Sequence, residues 1–227
     1  MEKIAFLWKT NIVSLNVYYF LDFLLTALIP PPNFGYVETD LYRSAIPDEM
    51  NFSFLQTLHL KTVVYLSLDA PSQIFSEFLK EQGIELVQIS GGEASIVCQR
   101  ISAQLVLDAF HILLNPDRYP VILMCNLGRH RTGTVIGCLR RLQLWSLSSI
   151  VDEFRRYTGL KQSTIHEQFI ELFDTDMVEL PKDASKLPFK IRRKQLFSTD
   201  TTVHQNQLGG SGRSMNYLLD PRNLMKS

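Results

Sequence analysis

The stretch that most limits what this chain can fold into is residues 121–133. Residues 121–124 (VILM) form a continuous apolar run, the pattern of a strand buried on both faces. It runs into a tight polar turn, Cys125-Asn126-Leu127-Gly128-Arg129-His130-Arg131-Thr132-Gly133, and helical spacing follows from about Arg131 to Leu144. A buried strand that stops at a short polar turn and restarts as a helix belongs in an α/β fold. In such folds ligands bind beyond the carboxyl ends of the strands.

The flanking pattern agrees. Residues 62–67 (TVVYLS) and 85–89 (ELVQI) predict two more strands, and residues 72–82 predict a helix stopped by Gly83. From Ser102 onward Leu105, Ala109 and Ile112, and likewise Val106, Phe110 and Leu113, recur at helical spacing until Pro116. Helices are also expected over residues 148–157 and 163–174. Strands alternating with helices predict one compact α/β domain with a central, mostly parallel sheet flanked by helices. That domain is expected over residues 31–180, after an apolar extension over residues 1–30 and before a flexible tail over residues 181–227. Pro30, Pro31 and Pro32 separate extension from domain. Three readings of the apolar stretch 12–29 stay open: a helix packed on the domain or lying on a membrane surface, a membrane anchor, or a misassigned start. Asn16 and Asp22 inside it count against a span.

Charge and cysteine content remove some function classes. Lysine plus arginine and aspartate plus glutamate both number 23, so nothing in the net charge favours a nucleic-acid partner. The three cysteines, Cys98, Cys125 and Cys138, make no disulfide framework and fit a reducing compartment. With no C-x-x-C pair, a structural zinc is not expected.

The turn itself carries the chemistry. Backbone N–H groups from Asn126, Leu127, Gly128, Arg129 and His130 can line one concavity, and the first turn of the following helix adds partial positive charge. Gly128 permits backbone conformations barred to other residues. Arg131 can close over a tetrahedral anion with two parallel hydrogen bonds. The same surroundings favour the thiolate of Cys125, a nucleophile toward bound phosphorus that would form a cysteinyl phosphate. Thr132 can donate a hydrogen bond to the sulfur as it leaves. This scheme needs no metal and no cofactor. A bare C-x5-R match arises often by chance; here a strand precedes it, a glycine lies inside, and Arg-Thr-Gly and a helix follow. Cys138, within the helix, is expected in the core.

The turn resembles the signature loop of the protein tyrosine phosphatase superfamily. The wider pattern resembles the plant and fungal atypical dual-specificity phosphatases: Asn33-Phe34, Leu41-Tyr42-Arg43-Ser44, Pro47, Asn51-Phe52-Ser53-Phe54-Leu55, Lys61-Thr62-Val63-Val64-Tyr65-Leu66, Gly137-Cys138-Leu139-Arg140-Arg141, Trp145 to Ile150 and Glu171-Leu172-Phe173-Asp174. Residues 128–137 are especially similar to the fungal group tied to oxidant-induced cell-cycle arrest. The resemblance implies a cytoplasmic, metal-independent phosphatase with phosphotyrosine-type or inositol pyrophosphate substrates, and related phosphatase-like partner subunits.

Three departures stand out. Met124 replaces the histidine usual before the nucleophile. Asn126 and Leu127 stand where relatives with inositol pyrophosphate substrates carry basic residues. The loop over residues 90–95 offers Glu93, not an aspartate, as general acid; Asp69 is the weaker candidate. Two rival readings therefore stay open: a catalytically weak phosphate-binding protein of an oxidative-stress or cell-cycle pathway, and a redox-sensing subunit. Arg43 is expected either at the active site or in a structural ion pair. Arg155, Arg156 and Lys161 either add charge near the pocket or are solvated. His130 is expected to fix the loop through backbone hydrogen bonds.

Overall fold

The computed structural model describes residues 28–90, 101–159 and 164–191. A five-stranded sheet runs in the order β1-β2-β5-β3-β4, from β1 (Gly35–Glu38), β2 (Leu41–Ala45), β3 (Thr62–Tyr65), β4 (Glu85–Gln88) and β5 (Val121–Cys125). The pair β1–β2 is antiparallel and every other pair is parallel. The helices are α1 (Phe52–Thr57), α2 (Gln73–Glu81), α3 (Ala103–Leu113), α4 (His130–Leu142), α5 (Leu147–Thr158) and α6 (Thr164–Leu172). The expected α/β architecture with a mostly parallel sheet is what the chain adopts.

Alternation along β5 divides the core. Val121, Leu123 and Cys125 face one hydrophobic cluster with residues of α3 and α4, including Val106, Phe110, Val135 and Leu139. Ile122 and Met124 face the other, with Phe75, Phe78 and Leu79 of α2 and Leu55 of α1. A strand covered on both faces must be apolar throughout, which is why its sequence pattern is continuous rather than alternating. Register then fixes where chemistry can sit. Ala45 pairs with Cys125, and Tyr65 with Met124, so β2, β3 and β5 end together at one edge.

Three elements have no counterpart in the sequence-based expectation: β1, β2 and α1. All five residues of β2 are buried, including Arg43 and Ser44, whose polarity hides the strand. The six residues of α1 follow a short 3-10 turn opened by Asp48, in which Asp48 and Asn51 cap each other. Helix α2 shows its cap in the sequence: the Ser72 hydroxyl accepts from the Phe75 amide at 3.3 Å.

Arg140, 3% exposed, ties α4 to its neighbours. It donates to both carboxylate oxygens of Glu153 in α5, at 2.9 and 3.1 Å, and to the Val37 carbonyl in β1 at 2.8 Å. Residues 181–191, expected as the start of the tail, instead place Leu187 and Phe189 in the core, with Phe189 against Tyr119. Among the described residues no helix is long and apolar enough to cross a membrane. The apolar stretch before Leu28 and the chain beyond residue 191 lie outside the described residues.

Candidate functional site

Cys125 ends β5 at 5% exposure, and α4 begins only five residues later. The intervening turn closes on itself through the Gly128 amide, which donates to the Cys125 carbonyl at 3.1 Å. Gly128 has a φ of +62°, and a Cβ there would lie 2.5 Å from the Ala45 nitrogen and from the Ser44 carbonyl carbon. Both the left-handed backbone and the close passage of β2 therefore require glycine. Gly128→Ala is expected to cost about 1–2 kcal/mol for the backbone conformation alone, with the clash adding to it. Denaturant unfolding measures this; an unchanged midpoint would contradict the packing described.

Three side chains from distant parts of the chain hold the turn. Asn33 Nδ2 donates to the Leu127 carbonyl at 2.7 Å. Arg43 Nη2 donates to the Gly128 carbonyl at 2.8 Å. The Tyr65 hydroxyl donates to Asn126 Oδ1 at 2.6 Å. In a trans peptide the carbonyl and the next amide point opposite ways, so fixing the Gly128 carbonyl also fixes the Arg129 amide. Met124, which stands in place of the histidine usual before the nucleophile, is fully buried in the α1–α2 cluster. Tyr65, beside it in the sheet, makes the polar contact to the turn.

Around the turn, Asn126 and Leu127 are exposed while Arg129, His130 and Arg131 are half-buried. Arg131 Nη1 donates to the Leu66 carbonyl just beyond β3 at 3.3 Å, which brings its guanidinium across the strand ends. Thr132 Oγ1 is buried and has no hydrogen-bond partner; the same holds for Ser44 Oγ, Ser67 Oγ and Arg43 Nε and Nη1. Buried polar atoms are nearly always paired, so these five stand ready for a ligand or water, and Arg141 Nε, near the far end of α4, is a sixth such atom. Among the described residues no group of three or more His, Cys, Asp or Glu could hold a metal ion.

The His130 carbonyl accepts from Thr134 Oγ1 at 2.8 Å, and its ring stacks on His166 of α6 with centroids 5.0 Å apart. His166, which no motif singled out, also stacks on Phe154 at 6.2 Å. Burial first, then the charges of His130 and Arg131, lower its pKa from 6.5 to about 4. On acidification the unfolded chain takes up this proton first, so stability falls as pH drops from 6.5 toward about 4. His166→Gln is expected to flatten that part of a melting-temperature profile; an identical slope would refute the assignment.

The remaining candidates separate clearly. Arg155 is paired with Glu167 at 2.8 and 2.7 Å, and Arg156 is exposed. Asp69 is exposed on a segment whose carbonyls at Ser67, Leu68 and Asp69 all accept from Gln88 Nε2. Cys138 is fully buried, and burial pushes its thiol well up, as suits a core residue. Arg43 is 1% exposed and forms no ion pair with a described carboxylate; its guanidinium lies 3.5 Å over the Tyr157 ring. Glu93, Cys98 and Lys161 lie outside the described residues.

Residues 28–191 match the model of a family described as the tyrosine phosphatase family. Similar proteins include the probable tyrosine-protein phosphatase DG1060 of Dictyostelium discoideum, 54% identical over 150 residues, which are 66% of this chain and 90% of that one. The inositol diphosphatase SIW14 of Saccharomyces cerevisiae is 43% identical over 162 residues, 70% of this chain and 56% of that one. The crystal structure of the core catalytic domain of the PP-IP phosphatase SIW14 aligns with a TM-score of 0.62 and 42% identity, over 66% of this chain and 90% of that one.

Proposed function

Because this chain belongs to the tyrosine phosphatase family, we propose that it hydrolyses its phosphate substrates at Cys125, with Arg131 holding the phosphoryl group. The chain is a cysteine-dependent phosphatase. The Cys125 thiolate attacks phosphorus; an S–P bond forms as the P–O bond to the leaving group breaks. Arg131 and the turn amides from Asn126 to His130 bind the equatorial oxygens. Water then attacks the cysteinyl phosphate, releasing inorganic phosphate and the thiolate, and the Thr132 hydroxyl donates to the departing sulfur. The observation that carries this reading is the turn held from three sides directly after β5, with Cys125 at its mouth.

The substrate is a phosphotyrosine-type ester on a protein or the diphosphate of an inositol pyrophosphate. Relatives named for each activity support both classes. Glu93 is the candidate donor to the leaving oxygen. The phosphate that leaves a diphosphate is a weaker base than the phenolate that leaves a phosphotyrosine ester and needs that proton less, which keeps the diphosphate open where the acid is not an aspartate. Phosphate release by the purified full chain, with chelator present, from an aryl phosphate and an inositol pyrophosphate in parallel decides between them. Binding of phosphate analogues without turnover of either would favour the phosphate-binding protein instead.

A further inference from the structure

We infer that Arg43 is a positioning residue of this reaction: a buried cation behind the turn that fixes the Gly128 carbonyl and acts as counter-charge to the Cys125 thiolate. The inference rests on Cys125 being the nucleophile. A guanidinium at 1% exposure is costly to bury and normally has a carboxylate against it. Arg43 has none within ion-pair distance among the described residues. The carboxylate that acts on it, Glu153, is engaged at both oxygens by Arg140. What Arg43 does have is one hydrogen bond to the turn, the face of Tyr157, and two N–H-bearing nitrogens without partners. Burial draws its pKa down only to about 10, so it stays charged at neutral pH.

The groups that act on Arg43 from the packed elements are Tyr157 and Glu153 on α5, Cys125 on β5 and Arg140 on α4. Of these, Glu153 is committed to Arg140 and Tyr157 meets the guanidinium with its ring face, which leaves the sulfur of Cys125 as the group whose charge changes during turnover. The turn's other ionisable groups are Arg129, His130 and Arg131, with His166 stacked on His130 and Asp69 exposed beyond β3. Arg131 is needed by the phosphoryl group, whereas Arg43 lies behind the backbone that Gly128 brings against β2. The two cations thus divide the work: one on the substrate side, one on the protein side. A fixed charge there needs no reorganisation when the thiolate is regenerated at the end of each turnover. With Met124 apolar, this cation supplies polarity that the residue before the nucleophile does not.

Alkylation separates this role from folding and from turnover. Native chain, Arg43→Met and Arg43→Lys are treated with iodoacetamide, and modification is followed on the peptide carrying Cys125; thermal melts report folding. At about pH 6, Arg43→Met is expected to react roughly tenfold more slowly than the native chain. At about pH 9 the two rates should converge, because the thiolate then forms without help. Arg43→Lys keeps the charge but loses the fork, so it should alkylate like the native chain while its kcat falls. Equal rates for folded Arg43→Met and the native chain at the lower pH would overturn the inference. Should Arg43→Met not fold, Arg43→Gln takes its place: slowing at the lower pH supports the inference, and native-like alkylation there overturns it. Alkylation needs no substrate, so failure to hydrolyse any phosphate would count against the phosphatase reading and not against this one.

Discussion

Cys125→Ser is expected to lower kcat by at least about four orders of magnitude, on the scale seen when a covalent nucleophile is removed from a comparable site. A thiol is intrinsically the better nucleophile, whereas a serine hydroxyl stays protonated unless a base stands beside it. Among the described residues no carboxylate or histidine makes a hydrogen bond with Cys125 that could serve a serine in its place. The exchange is small in volume, and the contacts of Asn33, Arg43 and Tyr65 to the turn involve other residues. Phosphate analogues should therefore still bind, and KM should move far less than kcat. Steady-state kinetics with both substrates checks the split; substantial turnover by Cys125→Ser would mean that another group attacks phosphorus.

Arg131→Lys is expected to lower kcat/KM by about 100-fold or more, the loss typical of removing a donor aimed at transition-state charge. Lysine keeps the positive charge but not the planar fork that grips two oxygens at once. The native side chain makes one long bond, 3.3 Å, to the Leu66 carbonyl and is half-buried. Stability should consequently change by no more than about 0.5 kcal/mol, as for an ordinary surface substitution. A large activity loss with an unchanged melting temperature would place Arg131 on the phosphoryl group. Activity within a few-fold of native would show that charge alone suffices there.

The parts of this protein legible in its sequence are those whose signals are local. β3 and β5 announce themselves as apolar runs, and α2 lies between a serine cap and a glycine stop. Cys125, Gly128 and Arg131 fall within seven consecutive positions, so the turn could be read without knowing what surrounds it. The residues that hold the turn are less legible: Arg43 is placed at the site only as one of two alternatives, and Asn33 and Tyr65 carry no role there. Asn33, Arg43 and Tyr65 reach it from 94, 85 and 61 positions away, respectively. Arg43 illustrates the difficulty most clearly. Its charge breaks the apolar pattern of β2, and the contacts that make its burial tolerable come from β2's partner turn and from α5, far along the chain. His166 is similar: its stacking on His130 depends on how α6 packs against α4, which no spacing encodes.

The account's central claim, a covalent cysteinyl phosphate, is tested most directly by acid-quenching the native chain during turnover of radiolabelled substrate and locating the label. The predicted result is label on the peptide carrying Cys125, approaching one phosphoryl group per chain, and none in Cys125→Ser. Label on a different residue, or turnover that proceeds with no labelled chain at any quench time, would contradict it.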